Sequence, residues 1–235
     1  MPTVDWYFDF ISPFAYLQSE QLGLLGPRAD VRYRPVLFAG LLAAIGHKGP
    51  AEIPAKRIFT YRHCIWQAKA LGIPFKFPPE HPFNPLPLLR LAIACDCAPA
   101  AIHRIFRFVW RDGRLPDLPI EWAELVGDLG VPDAAARIAL PEVKDELRRN
   151  TDEAIARGVF GVPTLAIGDA LFWGADATRM AAAYLAAGCR WDDPEYARVA
   201  ELPVGATRAV AAGAKPAPVR GKAAATKRKV KRRRS

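Results

Sequence analysis

Large apolar residues alternate with polar ones near the start of the chain. Positions 4, 6, 8 and 10 carry valine, tryptophan and two phenylalanines, separated by aspartate and tyrosine. A period of two is typical of a strand with one buried face. Ser12-Pro13 follows; serine is a favoured N-cap, and proline is favoured at the first helical position. The pattern therefore predicts a strand that runs into a helix beginning at Pro13.

Residues Ala29–Val36 alternate again and predict a second strand, parallel to the first. Residues 38–45 then open a further helix or a turn. From there to Gly158 the apolar spacing is helical, and the segments begin at proline. In the first segment, apolar residues recur at positions 58, 61, 65 and 68. The predicted helices are Pro54–Gly72, Pro87–Cys97, Pro99–Gly113, Pro119–Gly130 and Pro141–Gly158.

Strand signals return after Gly158. Thr164–Ile167 and Leu171–Trp173 predict two short strands joined by a turn at Gly168, and Asp176–Ala187 predicts a closing helix. From Gly205 onward, small and basic residues dominate, and such a segment cannot bury enough apolar surface to become ordered. The sequence therefore predicts an α/β part at 1–45 and 158–204, an all-helical insertion at 46–157 and a disordered tail at 205–235.

The positive charge of the chain is concentrated in that tail. The chain has 33 basic and 24 acidic residues, a net charge of +9. Ten of the basic residues and no acidic residue lie within 215–235, so 23 basic residues face 24 acidic ones in the remainder. We expect the tail to bind polyanions weakly and without specificity, because specific recognition of nucleic acid needs a folded module.

The N-terminus lacks the basic and apolar regions of a secretory signal, and no apolar run approaches the ~18 residues of a membrane span. We therefore expect a cytoplasmic protein with no membrane partner. The four cysteines are Cys64, Cys95, Cys97 and Cys189. No two of them form a C-x-x-C motif. Cys95 and Cys97 are separated by one residue, which is fewer than in the usual pair of zinc-binding cysteines. We interpret all four as free thiols and predict no metal site.

Three motifs carry a resemblance to a known family: Ser12-Pro13-Phe14-Ala15, "GVFGVPT" at Gly158–Thr164 and "FWGAD" at Phe172–Asp176. Together they resemble the 2-hydroxychromene-2-carboxylate isomerases, which are similar to kappa-class glutathione transferases and DsbA-like proteins. The resemblance covers about residues 3–190 and implies a thioredoxin-like fold with a cis Pro163. Two further segments that share it are Arg34–Leu42 and His81–Arg90.

In thioredoxin-type folds, the four positions that correspond to Ser12–Ala15 of this chain carry a C-x-x-C motif. Without those cysteines, thiol–disulfide exchange cannot take place there. The resemblance therefore implies that glutathione brings the thiol, and that the Ser12 hydroxyl donates a hydrogen bond to its sulfur. An ordinary N-cap role for Ser12 is the alternative interpretation.

The resemblance also implies which other residues bind ligands. The expected glutathione-binding residues are His47, Val162, Pro163, Gly174, Ala175 and Asp176. The expected substrate-binding residues are Phe14, Tyr16, Lys48, Trp66 and Asn84. Asp176 as a helix N-cap and His47-Lys48 as a solvated loop are the alternatives. The chain departs from the family pattern at His47, where an asparagine is common, and at Ala177, where an arginine is common.

These features predict a glutathione-dependent isomerase that acts on a small aromatic carboxylate by reversible addition of a thiolate. We also expect a homodimer. Three alternatives stay open: a kappa-type glutathione transferase, a non-catalytic protein that binds glutathione or a peptide, and a polyanion-binding protein driven by the tail. Glutathione affinity separates the isomerase and the transferase from the polyanion-binding protein, and turnover of a hydroxychromene acid separates the isomerase from all three alternatives.

Overall fold

The computed structural model describes residues 1–27, 29–191 and 193–206. The chain divides into two units, Met1–Asp193 and Pro194–Ser235. The described part of the second unit contains a short helix, Pro194–Ala200. Apart from its first two residues, the predicted tail at 205–235 lies outside the described residues.

A mixed four-stranded sheet forms the centre of the first unit. Its strands are β1 (Thr3–Phe8), β2 (Asp30–Pro35), β3 (Thr164–Ile167) and β4 (Ala170–Trp173). The strand order is β2-β1-β3-β4, with β2 parallel to β1 and with β3 antiparallel to both β1 and β4. The predicted parallel pair and the predicted hairpin are both present.

Nine helices of the first unit surround this sheet in the described residues. They are α1 (Pro13–Ser19), α2 (Phe38–Ala44), α3 (Pro54–Leu71), α4 (Leu86–Ala94), α5 (Pro99–Trp110), α6 (Pro119–Asp128), α7 (Ala134–Arg137), α8 (Pro141–Ala156) and α9 (Thr178–Ala186). The sequence pattern missed the four-residue α7. Helix α9 begins two residues later than predicted, because Ala175–Ala177 form a 3-10 turn before it.

The helices between β2 and β3 share their core with the sheet. On one face, the Phe106 ring of α5 lies 5.8 Å from the Trp6 ring and 5.5 Å from the Phe8 ring, centroid to centroid. All three side chains are fully buried. On the other face, Tyr7 packs in a smaller cluster with Leu41 of α2 and other residues. The helical segment thus has no need of a separate core to become stable.

Helix α3 is the exception to this burial. Of its 18 residues, Cys64 and Ala68 are the buried ones. Ile58 and Ile65, which share the predicted apolar spacing with Ala68, are 54% and 40% exposed. The periodicity predicted the helix correctly, although most of the side chains at the apolar spacing are not buried.

Helices long and apolar enough to cross a lipid bilayer do not occur within the described residues.

Candidate functional site

Ser12 lies at the junction between β1 and α1, as predicted. Its hydroxyl oxygen accepts a hydrogen bond from the Ala15 N–H at 3.2 Å, so Ser12 is the N-cap of α1. Its residue surface is 8% exposed. A hydroxyl has two lone pairs and one proton, so this cap leaves the proton free to be donated to another acceptor. The capping role and the proposed donor role are therefore compatible.

Asp9 fixes the loop that leads to Ser12. Its fully buried carboxylate accepts hydrogen bonds from the Ile11 N–H at 3.1 Å and from the Phe38 N–H at 2.9 Å. The second bond ties the loop to the start of α2. Burial raises the pKa of Asp9 to about 7, although the N–H donors of Phe38 and Ile11 act in the opposite direction. A carboxyl group that changes charge near neutral pH thus lies three residues before Ser12.

This carboxyl group predicts a pH dependence of stability. An aspartate in an unfolded chain loses its proton near pH 3.9, whereas Asp9 in the folded chain holds it to about pH 7. The stabilisation is fully present below the unfolded pKa and is lost as the pH rises through the folded pKa. We expect the free energy of unfolding to fall by roughly 2 kcal/mol between pH 5 and pH 7 from this group.

Urea unfolding of the wild type and of Asp9→Asn across that range measures the effect. The asparagine does not titrate, so the wild-type curve should fall more steeply with pH than the variant curve. Parallel curves would show that Asp9 is ionised in the folded chain throughout.

The Val162–Pro163 peptide bond is cis, which confirms the prediction. Tyr7 of β1 pairs with Thr164 of β3, so the chain before Thr164 runs on past the end of β1 toward the loop that carries Ser12. The Pro163 C=O accepts a hydrogen bond from the Gly174 N–H at 2.9 Å. Within the described residues, no hydrogen bond engages the N–H or C=O of Val162. Its main chain therefore stays free to pair with an extended ligand.

Gly174 and Asp176 form the turn after β4. Gly174 has a φ of +97°, a conformation that favours glycine, and a Cβ there would lie 2.5 Å from Asp176 Oδ1. The carboxylate of Asp176 thus folds back over Gly174 while its residue remains exposed. No side-chain cap is present on the 3-10 turn or on α9. The N-cap alternative for Asp176 is therefore wrong, and its carboxylate faces solvent beside the turn.

Gln18 joins this turn to α1, a link that the sequence did not predict. Its side-chain oxygen accepts from Trp6 Nε1 at 2.8 Å. Its side-chain nitrogen donates to the Gly174 C=O at 2.9 Å and to Thr178 Oγ1 at 3.0 Å. Gln18 is fully buried, so these bonds set the distance between α1 and the Gly174 turn without competition from water.

An exposed row of rings leads away from Ser12 along α3. The half-buried Phe14 ring lies 5.8 Å from the His63 ring. His63 lies 6.0 Å from Trp66 in a stacked arrangement and 5.7 Å from Phe59. Phe59 and Trp66 are 68% and 65% exposed. The structure thus brings Phe14 and Trp66 into one aromatic row, and it adds Phe59 and His63.

A second exposed aromatic pair lies beside the cis proline. The rings of Phe160 and Trp173 are 5.2 Å apart in an edge-on arrangement, with 44% and 55% of each residue exposed. A Cβ on Gly161 would come within 2.6 Å of Trp173 Nε1, so the indole lies against this glycine. Both aromatic residues belong to the quoted motifs, but the sequence had not assigned them to the site.

Tyr16 does not line the site. It is 1% exposed, and its hydroxyl donates to the Pro74 C=O at 2.6 Å inside the core. Its prediction as a substrate-binding residue is therefore wrong. Asn84 is exposed, and its side-chain oxygen accepts from the Leu86 N–H at 3.1 Å, which orders the start of α4.

His47 and Lys48 lie in the exposed loop that follows α2. The His47 N–H donates to the Leu42 C=O at 2.9 Å, and this bond closes the end of the helix. In the described part of the chain, no hydrogen bond or ring contact joins either side chain to Ser12. Because Asp9 anchors α2, the loop is nevertheless tied to the same segment as Ser12.

No cysteine occupies the Ser12–Ala15 slot. Cys64 is buried, and burial raises its pKa to about 12; burial also raises the pKa of Cys97 to about 11. Both thiols are therefore neutral at physiological pH. The described residues contain no group of three or more histidine, cysteine or acidic side chains that could hold a metal ion.

Comparisons with known proteins agree with this geometry. Residues 3–186 match the DSBA-like thioredoxin domain. The chain is 32% identical over 194 residues to 2-hydroxychromene-2-carboxylate isomerase of Pseudomonas putida, an overlap of 80% of this chain and 96% of that protein. It is 30% identical over 188 residues to glutathione S-transferase kappa 2 of Caenorhabditis elegans, 71% of this chain and 81% of that protein.

A solved structure of a 2-hydroxychromene-2-carboxylate isomerase superposes on the chain with a TM-score of 0.71 and 28% sequence identity. The superposition covers 84% of this chain and 98% of that one. The residues matched by the domain family, 3–186, span the sheet, the helices between β2 and β3 and the turn after β4.

Proposed function

Because the chain belongs to the DSBA-like thioredoxin domain family and, within it, to the 2-hydroxychromene-2-carboxylate isomerase family, we propose that it is a glutathione-dependent isomerase. Its substrate is a small aromatic carboxylate of the 2-hydroxychromene-2-carboxylate type. One observation carries the proposal: Ser12 stands at the junction of β1 and α1 in a slot without cysteine, and the cis Val162–Pro163 bond directly precedes β3, whose chain runs past the end of β1 toward the Ser12 loop. A site of this kind needs a thiol from outside the protein.

The kappa-class relative is named a glutathione S-transferase. Two features of the present site would fit glutathione as a ligand. The free N–H and C=O of Val162 suit the cysteinyl part of an extended tripeptide, which would add there as a short strand. The exposed Asp176 carboxylate at the Gly174 turn suits a ligand α-amino group. His47 follows in the loop after α2, where an imidazole can donate a further hydrogen bond.

When bound, glutathione supplies a thiol that adds reversibly to a conjugated carbon. The chain supplies the surroundings of that thiol. The Ser12 proton is donated toward the sulfur and favours its ionised form. The aromatic row from Phe14 to Trp66 provides flat apolar surface for an aromatic substrate, and the Lys48 ammonium attracts its carboxylate.

The proposed reaction predicts that glutathione is needed but not consumed. Purified protein mixed with a hydroxychromene carboxylic acid should interconvert its isomers only when glutathione is present, and the free thiol concentration should stay constant over many turnovers. Absorbance of the substrate and a thiol assay follow both quantities. An isomerisation rate equal to that of glutathione alone would overturn the proposal.

A kappa-type transferase is the second candidate, favoured by the 30% identity to the kappa 2 protein of Caenorhabditis elegans. A transferase leaves glutathione attached to its product, so the thiol would disappear in step with turnover of an electrophilic aromatic substrate. Binding of glutathione without either reaction would instead favour a non-catalytic glutathione-binding protein. The same two assays, together with a measurement of glutathione binding, therefore separate all three functions.

The homodimer, the weak binding of polyanions by the tail and the cytoplasmic location stay predictions. Gel filtration coupled to light scattering, salt-dependent nucleic-acid binding and cell fractionation test them in that order.

A further inference from the structure

The peptide group between Ile11 and Ser12 is held at both of its polar ends. Its N–H, that of Ser12, donates to the Asp9 C=O at 3.1 Å. Its C=O, that of Ile11, accepts from His81 Nε2 at 2.8 Å. Rotation of a peptide plane moves its N–H and C=O together, so these two bonds fix the plane directly before Ser12. They thereby fix the direction in which the Ser12 side chain leaves the backbone.

The partners of His81 determine which nitrogen carries its proton. A carbonyl only accepts, so Nε2 must carry the hydrogen and the neutral ring has a free lone pair at Nδ1. The Tyr61 hydroxyl lies 2.7 Å from Nδ1 and 2.8 Å from the His81 C=O, and it can donate to either. When it donates to Nδ1, Tyr61 of α3 stabilises the tautomer and the ring orientation that the bond to Ile11 requires.

The surroundings of His81 keep its imidazole ring neutral and hold it in one orientation. The rings of Phe77, Phe83 and Trp110 lie 6.2, 6.2 and 5.5 Å from it. Burial lowers the pKa of His81. Trp110 in turn donates from Nε1 to the Phe10 C=O at 2.8 Å. Side chains from distant parts of the sequence thus hold two successive carbonyl groups of the loop before Ser12.

We infer that His81 is a positioning residue for Ser12, and that Tyr61 fixes the tautomer in which it acts. The inference rests on the proposed function, since it gives His81 a part in the reaction assigned to Ser12. His81 touches neither the substrate nor the sulfur. It acts through the Ile11–Ser12 peptide, so its loss should misdirect the Ser12 hydroxyl without removing it.

The first test does not depend on glutathione. Hydrogen exchange of the Ser12 amide is measured by NMR in the wild type, His81→Leu, His81→Gln and Tyr61→Phe. We expect exchange roughly ten- to hundredfold faster in His81→Leu and a smaller increase in Tyr61→Phe. His81→Gln, whose amide can still donate, should stay within about threefold of the wild type. Unchanged exchange in His81→Leu would overturn the inference, whatever the protein catalyses.

The second test measures the consequence for the reaction. We expect His81→Leu to lower kcat by roughly five- to twentyfold, with KM for glutathione within about twofold, and to raise the pKa of the bound thiol. His81→Gln should restore most of the rate. A thiol pKa unchanged in His81→Leu would show that the residue has only a structural role.

His103 provides a matched control. It is a second half-buried histidine with a lowered pKa, and its Nε2 lies 3.5 Å from the Tyr33 hydroxyl, away from the Ser12 loop. His103→Leu should change neither the Ser12 amide exchange nor the thiol pKa. Equal effects of the two substitutions would overturn the inference. If the wild type does not bind glutathione, the proposed function is rejected. The exchange experiment then decides alone whether His81 positions Ser12.

Discussion

Ser12→Ala is expected to lower turnover at neutral pH by roughly ten- to hundredfold while glutathione still binds. A hydrogen bond to a charged group contributes about 1.5–3 kcal/mol, and one pKa unit corresponds to 1.36 kcal/mol. One hydroxyl can therefore lower the pKa of the bound thiol by about one to two units. Free thiols of this type have a pKa of about 8.5, so most of the thiol would be protonated at pH 7 without Ser12.

The pH dependence identifies the cause of this loss. The deficit of Ser12→Ala should grow as the pH falls toward 6, and it should disappear above about pH 9, where the thiol is ionised in both proteins. Thiolate absorbance of bound glutathione, titrated in wild type and variant, measures the two pKa values directly. Equal values would mean that Ser12 is only the cap of α1.

Ser12→Gly separates the donor role from the capping role. The Ser12 hydroxyl caps α1 through the Ala15 N–H. Alanine costs about 1 kcal/mol at an N-cap, whereas glycine costs only a few tenths. If the hydroxyl acts on the thiol, the glycine and alanine variants should lose turnover equally. If the activity depends on the cap, the glycine variant should retain most of it.

The local features around Ser12 were predictable because they depend on neighbouring residues. Alternation predicted β1, and the serine–proline pair predicted the start of α1. The strand nevertheless ends at Phe8, although the alternation runs to Phe10. Asp9 turns the chain there by bonding the Ile11 and Phe38 N–H groups, and Phe10 stays fully buried outside the ladder. A period-two pattern cannot distinguish this turn from a continuing strand.

The error at Tyr16 was avoidable from helix geometry. Successive residues of an α-helix are about 100° apart, so Phe14 and Tyr16 point to nearly opposite sides of α1. Phe14 faces His63 at the surface, and Tyr16 donates to the Pro74 C=O in the core. Two aromatic residues at this spacing cannot line one pocket. Aromatic composition alone does not carry that information.

The partners of Gln18 and His81 could not be predicted from local patterns. Gln18 bonds Gly174 across 156 positions of the sequence, and His81 bonds Ile11 across 70. A polar residue on an otherwise apolar helix face indicates that some buried partner exists, but it does not identify that partner. Phe160 and Trp173, in contrast, could have been predicted as site residues, because both lie inside the motifs that carry the family resemblance.

Gln18→Leu is expected to lower the free energy of unfolding by roughly 2–4 kcal/mol. Leucine fills a similar volume, but it leaves the buried Trp6 indole N–H and the half-buried Gly174 carbonyl without these partners. Each such orphaned group costs about 1–3 kcal/mol. For a chain of this size the loss corresponds to a fall in Tm of roughly 10 °C. Thermal and urea unfolding measure it.

The same substitution should weaken glutathione binding more than it changes the thiol pKa. Gln18 holds the Gly174 turn, and with it Asp176, at a fixed distance from α1, whereas Ser12 keeps its own bonds to Asp9 and Ala15. Gln21→Leu is the matched control. Its side-chain nitrogen donates to the Leu17 C=O at 2.9 Å in a half-buried position, so we expect a loss below about 0.5 kcal/mol. Equal destabilisation by the two substitutions, or unchanged glutathione affinity in Gln18→Leu, would show that Gln18 does not set the position of the turn.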